Sequence, residues 1–85
     1  MGDIVRDITM KVDLNGRTAS FFVQQANRYK AELFLEKNHK KINAKSIMGV
    51  LTLIIRKEEV ITFYAKGQDA KEASQQLGMI LEGKA

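Results

Sequence analysis

The sequence predicts an α+β fold, an open-faced β-sandwich in which a four-stranded antiparallel sheet is covered on one face by three helices. Two observations lead to this class. Segments with alternating apolar residues, typical of half-buried strands, are interspersed with segments whose apolar residues recur at helical spacing. Their order is β-α-β-β-α-β-α, and a sheet with one apolar face needs helices to cover it. The 85 residues suffice for one small domain, residues 1–85.

The first strand is predicted over residues 4–12, where apolar and polar side chains alternate. The apolar residues of its inward face are Ile4, Ile8, Met10 and Val12. Arg6 interrupts that face. We expect its aliphatic stem to pack while the guanidinium reaches past an edge of the sheet.

A helix is predicted next, over residues 16–27. Its apolar stripe follows the i, i+3, i+4, i+7 spacing of an amphipathic helix and consists of Ala19, Phe22, Val23 and Ala26. Phe21 falls outside this stripe. Asn15 directly precedes the helix and belongs to the residue types favoured at an N-cap.

A hairpin and a short helix form the middle of the chain. Leu33 and Leu35 share one face of a strand over residues 31–37, the segment NHKK supplies a turn, and KINA at 41–44 forms the third strand. Ser46 is a natural N-cap for a short helix running from Ile47 to about Leu53.

The last strand and helix complete the pattern. Residues 59–67 alternate, with inward residues Ile61, Phe63 and Ala65, and Gly67 ends the strand. Asp69 and Glu72 predict a capping-box-like start of the last helix. The apolar stripe of that helix consists of Ala70, Ala73, Leu77, Ile80 and Leu81. Gly78 should weaken it by up to about 1 kcal/mol relative to alanine.

The composition excludes several functions. The sequence contains no recognisable catalytic or metal-site motif: there is no cysteine, the single histidine is His39 in the predicted turn, and no P-loop motif occurs. We therefore expect neither an enzyme nor a cofactor. The net charge of +4 is mild, and the densest basic run, Lys37–Lys41, reads as a solvated turn rather than a nucleic-acid site. No apolar run approaches the ~20 residues of a membrane span, so we expect a cytoplasmic protein.

Two stretches resemble the HPr family of the bacterial sugar phosphotransferase system. The segment INAKSIMGVLTL, residues 42–53, is similar to the family's regulatory segment, in which a serine heads a short helix followed by Ile-Met-Gly. The segment DLNGRTA, residues 13–19, is similar to the family pattern Gly-aliphatic-His-Ala-Arg-Pro-Ala. Without any gap, the resemblance covers nearly the whole chain and places Asn15 at the phospho-histidine position.

This resemblance implies a regulator rather than a phosphocarrier. The chain looks like the Crh type of the family, which lacks the active histidine but keeps the regulatory serine. For such proteins, HPr kinase/phosphorylase phosphorylates the serine, here Ser46, and the phosphoprotein serves as corepressor for the transcription factor CcpA. Asn15 has no nucleophile at the family position, since its amide nitrogen is conjugated.

The remaining site residues follow from the same two segments. At least two of Ile47, Met48 and Leu51 should face outward and form an apolar docking patch, because other residues of that helix can supply the core contacts. Phe21 is a candidate extension of the patch. Arg17 is expected to contact a partner, or a phosphate held near both helix starts. Lys45, beside the serine, is expected to be solvated.

Several departures from the family pattern are visible. Gly16 and Thr18 replace the family's alanine and proline, and Ile54 and Glu58 stand where family members often have glycines. Two other functions stay open at this point. One is a phosphocarrier using another residue, for which His39 is the only candidate. The other is a small nucleic-acid-binding module, for which Phe34 and Tyr64 could point out of the sheet.

Overall fold

The computed structural model describes residues 2–84 and contains the predicted elements in the predicted order. They are β1 Gly2–Thr9, α1 Gly16–Ala26, β2 Glu32–Lys37, β3 Lys40–Asn43, α2 Ile47–Leu53, β4 Val60–Gly67 and α3 Ala70–Leu81. The strands pair antiparallel in the order β1-β4-β2-β3, so β1 and β3 form the edges. The predicted α+β open-faced sandwich is confirmed.

The core lies between one face of the sheet and the helices. Its largest fully buried side chains include Phe22 from α1, Phe63 from β4 and Leu77 from α3. The stripes predicted from sequence are the buried ones, since every apolar position predicted to face inward is buried or packs against the core. Periodicity alone therefore located the core correctly.

The first strand is shorter than predicted, ending at Thr9 instead of continuing to residue 12. Beyond Thr9 the side chains still alternate between buried and exposed, but the backbone no longer forms strand pairs with β4. Met10 is fully buried; its N–H donates to the carbonyl of Glu59 at 2.8 Å and its carbonyl accepts from the N–H of Glu58 at 2.8 Å. The N–H of Lys11 donates to the carbonyl of Leu81 at 2.9 Å, which turns the chain toward the end of α3.

The hairpin turn is tighter than the NHKK segment suggested. Only Asn38 and His39 form it, and both have positive φ, +52° and +66°. A two-residue turn with both central φ values positive matches the twist of the strands that it joins. Lys37 and Lys40 therefore become the last cross-strand pair of the hairpin.

Asp69 occupies the N-cap position of α3, but the predicted side-chain cap is wrong. Its carboxylate turns instead to the α1–β2 connection, where it accepts hydrogen bonds from the N–H groups of Lys30 at 2.9 Å and Ala31 at 2.8 Å. The Lys30 N–H bond is the main reason that the pKa of this carboxyl lies below its usual range. The Asp69 carboxylate thus makes a long-range tie to the α1–β2 connection instead of capping its own helix.

Arg6 lies on the edge strand, as predicted, but its guanidinium is held by α3. It donates to the backbone carbonyl of Ser74 at 3.0 Å and to the Ser74 hydroxyl at 3.2 Å, and it lies 3.5 Å from the carboxylate of Glu82. Gly78 makes room for it, because a Cβ there would come within 2.6 Å of the guanidinium. Gly78, although it weakens α3, therefore leaves the space that the Arg6 guanidinium occupies.

Candidate functional site

The start of α1 is fixed by the core on its N-terminal side. Leu14 is buried, and its N–H donates to the carbonyl of Ile55 at 2.9 Å in an isolated antiparallel bridge. Asn15 follows with an extended backbone and an exposed side chain. Gly16 then enters the helix with φ of +43°, in open space. Asn15 is thus displayed to solvent at the first turn of α1.

The capping of α1 is divided between two side chains. Asn15 occupies the N-cap position, as predicted, and its N–H donates to the Thr18 hydroxyl at 3.1 Å, which is the return half of a capping box. The other half of the capping box, in which the N-cap side chain accepts from the N3 backbone, has no close hydrogen bond. The Asn15 side chain faces the Thr18 N–H without a hydrogen bond, while that N–H donates to the Asn15 carbonyl at 3.0 Å. The Thr18 hydroxyl also lies 2.5 Å from the carbonyl of Asp13, so threonine strengthens this turn.

Arg17 and Phe21 lie four residues apart on the outer side of α1. Both line a shallow depression with Val12, Ile80 and Gly83, at the border between α1 and the end of α3. Phe21 is 47% exposed. Within residues 2–84, no carboxylate lies within ion-pair distance of Arg17. Phe21 thus lies beside the end of α3, and its role in extending the docking patch expected on Ile47, Met48 and Leu51 stays a prediction.

Ser46 caps α2 as predicted. Its hydroxyl oxygen accepts a hydrogen bond from the N–H of Gly49 at 3.1 Å, and its carbonyl accepts the first helical bond, from Val50, at 2.9 Å. The residue is half-buried. Lys45 is not simply solvated, because its ammonium donates to the carbonyl of Tyr29 at 2.6 Å. The ammonium is therefore engaged by the α1–β2 connection.

An apolar patch covers the outer face of α2. Val50 and Leu53 point into the core, with relative exposures of 0% and 6%, while Ile47, Met48 and Leu51 are 37%, 70% and 39% exposed. All three of these exposed residues face outward, so the predicted orientation is confirmed. We refer to Ile47, Met48 and Leu51 as the α2 patch. Exposed aliphatic and thioether groups grouped in this way are typical of a surface that binds another protein.

The two helix starts lie at opposite ends of the α1–α2 pair. The side chain of Asn27, at the end of α1, donates to the carbonyl of Lys45 at 3.1 Å, just before α2 begins. Leu14, just before α1, pairs with Ile55, just after α2. The helices therefore run antiparallel, and the 11 residues of α1 span about 16 Å. The expectation that one phosphate could lie near both helix starts is wrong.

His39 stays apart from these groups. It is exposed at the tip of the β2–β3 hairpin, where it lines a shallow depression with Glu36 and Thr62. Among the described residues, no three histidine, cysteine or carboxylate side chains converge to hold a metal ion. Within the same range, no helix is both long and apolar enough to cross a bilayer.

The open face of the sheet carries the aromatic residues that could have indicated nucleic-acid binding. Phe34 and Tyr64 are cross-strand neighbours there, and the ammonium of Lys41 lies over both rings, 5.0 Å and 4.0 Å from their centres. Tyr64 also donates a short hydrogen bond to Glu36, which raises its pKa above the usual value. The intramolecular cation already covers part of the aromatic surface.

The charge of that face also disfavours nucleic acid. By strand register it presents four carboxylates against two lysines, namely Asp3, Asp7, Glu32, Glu36, Lys41 and Lys66. Phosphate backbones require a surplus of basic groups. The distribution of charge on the sheet thus argues against the nucleic-acid alternative.

The sequence marks Ile54 only as a departure from the family pattern, whereas the structure gives it an exposed position at the end of α2. Ile54 caps the C-terminus of α2, is 60% exposed and has a left-handed backbone, with φ of +50° and ψ of +64°. Glu58 also has a positive φ, +77°. Both positions are therefore ones where glycine would be unstrained. The absence of glycine at positions 54 and 58, where family members often have it, is the sequence feature that could have pointed to Ile54.

Comparisons with known proteins agree with this geometry. The family model described as "PTS HPr component phosphorylation site" matches residues 6–83. This chain belongs to the HPr family. The match spans nearly the whole chain, as the resemblance predicts. HPr-family proteins are phosphocarriers and regulators, so the expectation that the chain is not an enzyme is confirmed.

Similar HPr-family proteins include two named "HPr-like protein Crh". The one from Halalkalibacterium halodurans is 43% identical over 89% of this chain and 90% of its own length. The one from Bacillus subtilis is 41% identical over 89% of each. Among solved structures, the phosphocarrier protein HPr from Bacillus anthracis superposes with a TM-score of 0.91 at 38% identity, covering 96% of this chain and all of that one. Crh from Bacillus subtilis gives 0.80 at 41% identity, over 89% and 87% of the two chains.

Proposed function

We propose that this protein is a regulatory member of the HPr family that acts in carbon catabolite repression in the cytoplasm. It does not carry a phosphoryl group at residue 15. HPr kinase/phosphorylase phosphorylates Ser46, and the phosphorylated protein then binds a CcpA-type transcriptional regulator. The observation that carries this proposal is Asn15, exposed at the start of α1 where the family pattern has a histidine. The two relatives named Crh, one of them solved as a catabolite repression protein, support it.

The chemistry of Asn15 separates this protein from a phosphocarrier. A phosphoryl acceptor at a helix start needs a free electron pair on a nucleophilic atom. The lone pair of an amide nitrogen is delocalised into the carbonyl, so Asn15 can cap but cannot attack phosphorus. The helix start itself remains well suited to a polar group, because its N–H groups point outward. The position retains a structural role without the transfer chemistry.

Ser46 is placed where a phosphate can be added without unfolding the domain. The residue is half-buried, and its hydroxyl oxygen accepts a hydrogen bond from the N–H of Gly49. A phosphoserine can keep that contact and brings about −1.5 to −2 charges with three further acceptor oxygens. Because Ile47 and Met48 follow directly in sequence, the charge and the α2 patch would face a partner together. We infer that the partner surface combines an apolar area with basic groups.

The first measurement is phosphorylation by HPr kinase with ATP. We expect one added phosphoryl mass, mapped to Ser46, and a Ser46→Ala variant that remains unmodified. Loss of the cap should lower the stability of that variant by about 0.5–2 kcal/mol, so its fold is checked by thermal unfolding. A wild-type protein that stays unmodified at Ser46 under conditions in which the kinase phosphorylates an authentic HPr would contradict the proposal.

The second measurement is binding to a CcpA-type regulator, titrated with and without phosphate. We expect tight binding only by the phosphorylated form. Replacing Met48 by glutamate should raise the dissociation constant at least about fivefold, which is the loss typical of an apolar anchor. Its stability should change by no more than about 0.5 kcal/mol, because Met48 is 70% exposed. Equal affinity of the two forms would rule out a phosphorylation switch.

A further inference from the structure

Ile54 is a strained residue in an exposed place. Its backbone is left-handed, with φ of +50° and ψ of +64°, a region that crowds the Cβ of any L-residue against the backbone. For a β-branched side chain this conformation is an outlier. Strain of this kind persists where the surrounding structure or a function holds it.

The fold requires the backbone conformation at this position but not the side chain. Leu53 and Ile55, on either side, are both buried, so the chain must turn sharply between them. The N–H of Ile54 donates to the carbonyl of Leu51 at 3.3 Å, and its own carbonyl accepts from the ammonium of Lys37 at 2.5 Å. That ammonium also lies 2.8 Å from the carboxylate of Glu59. All bonds of Ile54 use backbone atoms, so glycine could make them without strain.

The side chain instead enlarges the exposed apolar surface of α2. It is 60% exposed and follows α2 directly, three residues after Leu51 and seven after Ile47. Ile54 lies at the opposite end of α2 from Ser46, about 12 Å away at the rise of a helix. Any molecule that covers the α2 patch beside Ser46 and extends along α2 reaches Ile54.

We propose that Ile54 is a specificity-determining contact, which inserts into an apolar pocket of the same transcriptional regulator that recognises the phosphorylated Ser46. The inference rests on the proposed function and adds a second anchor to it. The regulator is required to present an apolar pocket about 12 Å from the basic groups that meet the phosphate. The contact carries no charge, so its contribution to affinity is independent of salt, whereas that of the phosphate falls as salt rises.

The deciding experiment measures stability and binding in the same variants. In Ile54→Gly the strain is relieved and the anchor is lost. We expect the melting temperature to rise by about 4–8 °C and the dissociation constant of the phosphorylated protein for the regulator to rise at least about fivefold, at low and high salt alike. Ile54→Asn, with a polar residue that tolerates this conformation, should show the same loss of affinity.

Glu58→Gly is the matched control. Glu58 is also exposed and has a positive φ, +77°, but it contributes no apolar surface, and its ion pair with Lys11 is solvent-exposed. This variant should gain stability and bind like the wild type. Replacement of Val5 by threonine controls for exposed apolar area elsewhere, since Val5 is 65% exposed on the open face of the sheet.

The outcomes separate the two proposals. If the phosphorylated wild type binds the regulator and Ile54→Gly binds equally well, the Ile54 contact is refuted while the proposed function stands. The contact is also refuted if Glu58→Gly loses affinity to the same extent, or if Ile54→Gly is not stabilised. Absence of binding by the phosphorylated wild type refutes the proposed function, and the Ile54 contact with it.

Discussion

Among single residues, Asn15 is positioned by its backbone and its neighbours rather than by its own side chain. The backbone around it is extended before the helix, Leu14 anchors it to Ile55, and the N–H of Asn15 is held by Thr18. These features position a side chain at the first turn of α1 whatever its identity. What the amide lacks is a nucleophilic electron pair, which is a property of one functional group.

Residue 15 therefore supports a direct test with enzyme I and phosphoenolpyruvate. We expect the wild type to remain unmodified and Asn15→His to acquire an acid-labile phosphoryl group. Transfer should be slow, because the Thr18 hydroxyl, bonded within the turn, stands where the family has proline. Mass spectrometry before and after acid treatment measures the product, and Asn15→Ala serves as the control. An acid-labile phosphate on the wild type would contradict this expectation, and its mapping to His39 would favour a phosphocarrier.

At the scale of the element, α3 carries a glycine whose role depends on another strand. Gly78 is buried and lies within α3. At such a position alanine favours the helix by about 1 kcal/mol relative to glycine. A methyl group there would reach within 2.6 Å of the Arg6 guanidinium. The arginine would then have to leave its bonds with Ser74, a buried residue.

A double-mutant cycle on Gly78 and Arg6 tests this coupling. In the Arg6→Ala background we expect Gly78→Ala to stabilise the protein by about 1 kcal/mol, because only helix propensity changes. In the wild-type background the same substitution should stabilise less or destabilise, giving a coupling energy of about 0.5–3 kcal/mol. Denaturant unfolding of the four proteins provides the measurement. Additive effects would show that the arginine and the glycine do not interact.

At the scale of the whole molecule, long-range ties fix where the functional surfaces lie. The bond from Asn27 to the carbonyl of Lys45 and the bridge between Leu14 and Ile55 hold α1 and α2 antiparallel. As a result, Ser46 and Asn15 lie at opposite ends of the helix pair. Asp69 adds a third tie, between the start of α3 and the α1–β2 connection.

The tie made by Asp69 predicts how stability depends on pH. The hydrogen bond from the Lys30 N–H, followed by that from Ala31, lowers the carboxyl pKa in the folded protein below the 3.8 of the unperturbed group. A depressed folded pKa stabilises the protein above the unfolded pKa, and this stabilisation is lost as pH falls through the folded pKa. Asp69→Asn should therefore be less stable than the wild type at neutral pH.

The stability difference between wild type and Asp69→Asn should shrink as the pH falls below about 4 toward the folded pKa. Urea unfolding at several pH values gives the measurement, and Asp3→Asn, at an exposed position on the open face, serves as the control. A difference that stays constant from pH 7 to pH 2 would show that the carboxylate charge does not take part in the tie.

The order of elements, the inward faces and the two segments of the candidate site could be predicted from sequence patterns alone. Period-two alternation and the i, i+3, i+4, i+7 spacing are local properties of strands and helices, so Phe22, Phe63 and Leu77 could be assigned to the core without coordinates. The N-cap role of Ser46 was also local, because a cap bonds its own helix.

Which ends of these elements meet depends on long-range contacts that sequence patterns do not contain. The carboxylate of Asp69 had a local option, capping its own helix, and a distant one, the N–H groups of Lys30 and Ala31. The distant bonds form instead, and no spacing rule could reveal them, because the partners are 39 and 38 residues apart in sequence. In the same way, the antiparallel packing of α1 and α2 separated Asn15 from Ser46. The strain at Ile54 arises from the sharp turn between two buried neighbours, so it too depends on the complete fold.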